Sequence, residues 1–186
     1  MWFGMDVDVP IHFVTVAELL ALSLIPVAMR FGRNESKKEK LKAMFSFEIK
    51  DWKMDIALPI VSAFIVESLT FGKIFIQPEL LSFLGVVQSI LVAPVFEEVC
   101  FRGLLLGWPL LEVDKRVKEN ARYVWYFSLI GINAILFFYV HSARGFTTLA
   151  IGLLSAAFYV WRRSLIPSIL LHFFSNWLVW IEFLLV

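Results

Sequence analysis

Cysteine is nearly absent from this chain: Cys100 is the one thiol in 186 residues. That excludes an intramolecular disulfide and any metal centre built from several cysteines. Histidine occurs three times and charged residues make up 18%. Charge at that level leaves less polar surface than a soluble domain of this length needs. Basic residues cluster at the ends of apolar runs rather than along one face, so nucleic-acid binding has no support. The opening MWFGMDVDVP lacks the cationic start of a cleaved signal peptide. Internal repeats and low-complexity linkers are missing as well.

Apolar sequence is what the chain has in excess: 60% hydrophobic residues and a mean hydropathy of +0.78. The runs are long enough to cross about 30 Å of hydrocarbon. The expected fold is therefore all-α, a single polytopic transmembrane bundle of about six spans over 1–186. A short or re-entrant helix around 72–80 would make seven. Spans are expected at 11–29, 54–72, 79–107, 123–141, 145–161 and 164–185. Residues 30–53 read as a basic cytoplasmic loop, and 112–122 as a second charged loop. With both termini outside, inner loops hold eight Lys or Arg in 30–53, four in 112–122, and Arg162 with Arg163. Outer loops hold only Lys73 and Arg144. This asymmetry predicts a multi-pass protein of the cell membrane with its basic loops in the cytoplasm.

Against that background Glu97-Glu98-Val99-Cys100-Phe101-Arg102 stands out. A charge at mid-bilayer costs roughly 2.5 to 3.5 kcal/mol on insertion scales, so three in one span need partners or a purpose. Glu98 and Arg102 are spaced i, i+4 with the acid first, which favours an intrahelical ion pair. Glu97 points about 100° away and has no local partner. Pro94 is expected to kink the span and free the Ile90 carbonyl. Counted from the cytoplasmic ends, Glu97 lies about 15 Å deep, His172 about 12 Å and Asn176 about 18 Å; His141 lies about 28 Å from Arg122, or about 21 Å if the hydrocarbon starts after the Tyr123, Trp125 and Tyr126 belt. Phe137 and His141 share one face of the fourth span, and His172 and Asn176 one face of the last.

Each feature also has a plain structural reading. Glu98–Arg102 serves well as a buried structural pair, Cys100 as a small apolar side chain, and an isolated intramembrane histidine as a helix–helix partner. Glu18 and Glu67 read as polar contacts without a recognisable partner, and His12 and Glu182 as interfacial. What the set can do together is chemical. A carboxylate and an imidazole facing one water can activate it for attack on a carbonyl, while His172 and Asn176 can donate to the oxyanion. Other intramembrane protease chemistries lack their parts: no HExxH, no aspartate pair in the spans, no GxSxG-like serine. The residues alone leave open a metal hydrolase using Glu97, His141 and His172, a non-enzymatic immunity or scaffold protein, and a weakly supported transporter.

EEVCFR fits EExxxR, FFYVH fits FxxxH and HFFSN fits HxxxN, in that order on membrane spans. The set resembles the CPBP (Abi) family, which includes the CAAX prenyl proteases of the Rce1 type. GFTTLAIGLLSAAFYVWRRSLIPSILLHFFSN also looks like that family's approach to its last motif. The resemblance covers about 85–180 and implies an intramembrane glutamate endopeptidase with its catalytic core in 79–185. It implies Glu97 and His141 as activators of water, and His172 and Asn176 as the oxyanion hole. Glu98 and Arg102 support the site; the motif's phenylalanine is Phe137. No metal and no other cofactor is implied. The expected partners are the lipid bilayer and a peptide or lipidated protein substrate, reached from the cytoplasmic half. The chain is shorter than eukaryotic-type members, which leaves CAAX-type processing and the cutting of another membrane-associated peptide both in view.

Overall fold

The computed structural model describes residues 35–70, 83–141 and 145–185. The expected first span, the 72–80 segment, His12, Glu18, Lys73 and Arg144 lie outside them. The regular structure of the described residues is all helical, with no strand among them. They comprise α1 (Glu35–Met44), α2 (Leu58–Thr70, entered through a π-helical turn at Lys53–Ala57), α3 (Phe83–Val87), α4 (Ala93–Glu98), α5 (Gly107–Arg116), α6 (Glu119–Val140), α7 (Phe146–Arg162) and α8 (Ile166–Leu185). Among the described residues one helix, Glu119–Val140, is long and apolar enough by itself to cross a membrane, and Phe146–Arg162 is a shorter apolar one.

Two expectations about loops change. Residues 30–53 contain the polar helix α1, because ESKKEKLKAM is rich in good helix formers. The charged stretch 112–122 is mostly helix: α5 runs to Arg116, Val117 turns extended, and α6 begins at Glu119. The i, i+4 pair Glu112–Arg116, 3.0 Å apart, extends α5 by that extra turn.

From 83 to 116 the chain stays helical but changes gauge. π-helical turns at Gln88–Val92 and Val99–Leu106 flank α4, which holds the acid pair. Pro94 starts the irregularity, though differently from the expected release of Ile90. Ala93 N–H bonds Gln88 O, five residues back. In that register the acceptor that Pro94, lacking an N–H, cannot fill is Ser89 O. The Asn176 carboxamide of α8 donates to it at 2.9 Å.

Helices α6, α7 and α8 pack in sequence, and α2 lies along α8. One apolar cluster joins Ala63 and Val66 of α2 to Phe137, Ile151, Phe158 and Leu171. A second gathers Leu106, Leu110, Ala156, Tyr159 and Leu165 nearer the α7–α8 turn. The buried face of α7 includes three small residues, Gly152, Ser155 and Ala156. A methyl group on Gly152 would stand 3.2 Å from the Phe137 ring and 3.3 Å from Ala134 O, so the two helices touch almost backbone to backbone. The outer face of α6 is apolar and exposed, through Val124, Phe127, Ile132, Ile135 and Tyr139.

Residues 44–55 are fastened under the α7–α8 turn. Arg163 takes the left-handed conformation (φ 54°) that ends α7, and Leu165 N–H then donates to Ser46 O at 2.8 Å. Asp55 is fully buried. It accepts from the backbone N–H of Lys50 and Asp51 at 2.6 and 2.8 Å and from Arg162 Nε and Nη2 at 2.5 and 3.0 Å. Four donors on one carboxylate offset its loss of hydration.

Candidate active site

The acid pair, Arg102, Phe137 and both histidines meet where α4, the π-helical turn after it, α6 and α8 come together. Glu97 Oε2 lies 2.9 Å from His141 Nε2 and 3.6 Å from His172 Nε2. His141 closes α6, and its Nδ1 sits 2.9 Å from the Phe137 carbonyl. A carbonyl can only accept, so Nδ1 carries the hydrogen. The Nε2–Oε2 contact therefore holds one shared proton, written either as imidazolium and carboxylate or as imidazole and carboxylic acid.

The second acid faces inward. Glu98 Oε2 pairs with Arg102 Nε at 3.0 Å, both side chains fully buried. The approach lacks hydrogen-bond alignment, so the contact is ionic. Glu98 Oε1 receives His172 Nδ1 at 3.0 Å, and Arg102 Nη2 donates to Gly152 O at 3.2 Å. Such a pair is retained only where partners compensate both charges. Glu97 keeps 16% of its side chain exposed and His141 28%, so one acid faces an opening while the other is sealed behind it.

Phe137 is the hub. Its ring stacks on His141 at 4.3 Å with 23° between planes and meets His172 edge-on at 5.4 Å. It also meets the Arg102 guanidinium, 4.4 Å from the ring centroid. One aromatic ring thus sets the spacing of two imidazoles and a cation.

Asn176 holds the backbone that precedes the acid pair. Its Nδ2 donates to Ser89 O, and Ser89 Oγ receives Trp180 Nε1 at 2.8 Å. Glu67 has a partner, against expectation: Ser175 Oγ, one turn from His172 on α8, donates a short hydrogen bond to it. Asn133 was not singled out by its sequence context. It is 3% exposed and donates from Nδ2 to Phe101 O at 2.8 Å. Its place four residues before Phe137 and eight before His141 was the signal that could have found it. Among the described residues no group of three metal-ligating side chains is arranged to hold an ion.

The described residues form a helical, strand-free fold with a buried acid–arginine pair behind an acid–imidazole pair. Residues 78–178, more than half of the chain, match the model of the type II CAAX prenyl endopeptidase Rce1-like family. The chain belongs to that family of integral membrane proteases. No curated protein and no solved structure matches it.

Proposed function

We propose that the chain is an intramembrane endopeptidase in which Glu97 and His141 activate a water molecule without a covalent intermediate. The contact of 2.9 Å between Glu97 Oε2 and His141 Nε2, on the partly exposed side of the acid pair, is the observation that carries this reading. With the shared proton on His141, the Glu97 carboxylate takes a second proton from the attacking water, and the His141 imidazolium gives its own to the leaving amine. The scissile carbonyl then lies against Glu97 and His141, and the developing oxyanion falls to α8. His172 Nδ1 gives its hydrogen to Glu98, so His172 donates to an oxyanion through Nε2 only as the imidazolium. Asn176 has one amide hydrogen engaged by Ser89 O and a second for the oxyanion. Glu98 and Arg102 hold His172 in place.

The core over 79–185 sits in a single membrane domain crossed about six times, with both termini outside. The apolar outer face of α6 and the uninterrupted helix over 83–116 support this. So does the polar belt of Asp55, Arg162, Arg163 and Asp114 at one end, which suits the cytoplasmic surface. Family membership favours the C-terminal tripeptide of a prenylated CAAX protein as substrate.

The test is direct. The chain is reconstituted in vesicles with a farnesylated CAAX peptide, and release of the tripeptide is read by mass spectrometry. Cleavage that survives a chelator and is lost in His141→Ala is expected. Absence of cleavage, or loss on chelation, would end this reading.

A further inference from the structure

Asn133, Phe137 and His141 form one stripe along α6, spaced i, i+4, i+8. Every member touches the helix that carries the acid pair. His141 meets Glu97, Phe137 meets Arg102, and Asn133 meets the backbone between them, at Phe101 O. The orientation of the carboxamide is dictated, because a carbonyl accepts only from the amide nitrogen. Its other end, Oδ1, is buried with no donor among the described residues, an arrangement that works against the fold. A leucine of similar size at this apolar interface would avoid that cost, so the Nδ2 bond is what the asparagine contributes.

Its acceptor lies inside the π-helical turn Val99–Leu106. π-Helical turns are rare and concentrate at functional sites, and such a turn needs support from outside its own backbone. Relative to an α-helix, the extra residue in the turn rotates the helix beyond it by about 100°. That offset lets the acid pair face α6 and α8 while Gly103 and Gly107 face Phe45 and Tyr159. Phe101 is the point of control. Its ring stands edge-on to Phe137 at 5.2 Å and 6.2 Å from the His141 ring, and the next residue is Arg102.

We infer that Asn133 is a positioning residue for the acid–imidazole pair: by holding Phe101 O it keeps the Val99–Leu106 turn in its π register, and so keeps Glu97 against His141. The inference rests on the proposed roles of Glu97 and His141, and nothing in the EExxxR, FxxxH and HxxxN motifs includes Asn133.

Cys100, the only thiol in the chain and half-buried next to Phe101, reports on the same turn without any engineering. The experiment uses the full chain in nanodiscs with two variants. Asn133→Leu keeps the bulk and removes the donor; Asn133→Ser keeps a polar group too short to reach Phe101 O. Three readings are taken: alkylation of Cys100 by a small maleimide, thermal stability, and kcat and KM on a prenylated peptide. The expected result is faster alkylation in both variants. With it, kcat falls about 100-fold, as for a misplacement near 1 Å, and KM is unchanged. Parent-like alkylation in a folded variant overturns the inference, as does a loss of stability with kcat intact. If the parent cleaves no peptide, the proposed function fails, and the clamp is then judged on Cys100 alkylation alone.

Discussion

Glu97→Gln isolates the chemistry of the site from its packing. Gln has the shape of Glu, and its amide nitrogen can donate to the bare Nε2 of His141, whose Nδ1 hydrogen is held by Phe137 O. The 2.9 Å contact survives, and Glu98, Arg102 and Phe137 are untouched. What disappears is the ability of the pair to take a proton from water. General-base catalysis contributes roughly 10²- to 10⁴-fold. At 1.36 kcal/mol per decade, the barrier should rise by about 3 to 5.5 kcal/mol. The assay is kcat for release of the tripeptide from a farnesylated peptide by reconstituted protein, with thermal unfolding measured on the same preparation. The expected result is a loss of kcat in that range at unchanged KM and unchanged melting temperature. A Glu97→Gln variant that keeps more than about a tenth of the parental kcat would refute the assignment of Glu97 as the base.

Removing Arg102 alone should be far worse than removing its whole ion pair. Arg102→Leu leaves Glu98 buried without its counter-charge and is expected to cost about 3 to 5 kcal/mol, seen as a lowered unfolding temperature in detergent. Adding Glu98→Gln should recover most of that loss while peptidase activity stays absent; equal stability of the single variant and the parent would contradict it. Gly103→Ala puts a methyl group 2.6 Å from the Phe45 ring. A loss of about 1 to 3 kcal/mol is expected, relieved by Phe45→Ala in a double-mutant cycle. Arg162→Met removes two of the four donors on Asp55. It should expose residues 44–55 to trypsin at Lys50 and Lys53, read as faster cleavage in sealed vesicles; an unchanged digestion rate would show that the backbone bonds of Lys50 and Asp51 hold the segment by themselves.

The parts of the site legible in the sequence are those whose spacing is local. Glu98 and Arg102 lie one helical turn apart, so their pairing follows from the α-helical repeat, and the structure has it at 3.0 Å. Phe137 and His141 share a face for the same reason, and their rings stack. The isolation of Glu97 from local partners was likewise readable, and its contact with His141 answers it. The hidden parts depend on register. An α-helical count places the gap left by Pro94 at Ile90, whereas the π turn moves it to Ser89 O and so draws Asn176 to that carbonyl. Glu67 looked unpartnered because Ser175 is 108 residues away. Asp55 drew no attention in the sequence because nothing near it shows Arg162 closing over it.

Composition and periodicity were enough for the all-helical class and for Glu97, His141 and His172, but not for helix α1, the helical turn at 112–116 or Asn133. Hydrophobic runs and i, i+4 spacing are properties of a chain on its own, set by backbone geometry before any helix meets another. Which imidazole faces which carboxylate, and which acid is sealed by Arg102, came only from the packed helices. So did the widening of the helix on both sides of α4. These are settled by side chains and carbonyls from different helices competing for the same few hydrogen bonds in an interior that offers no water in their place.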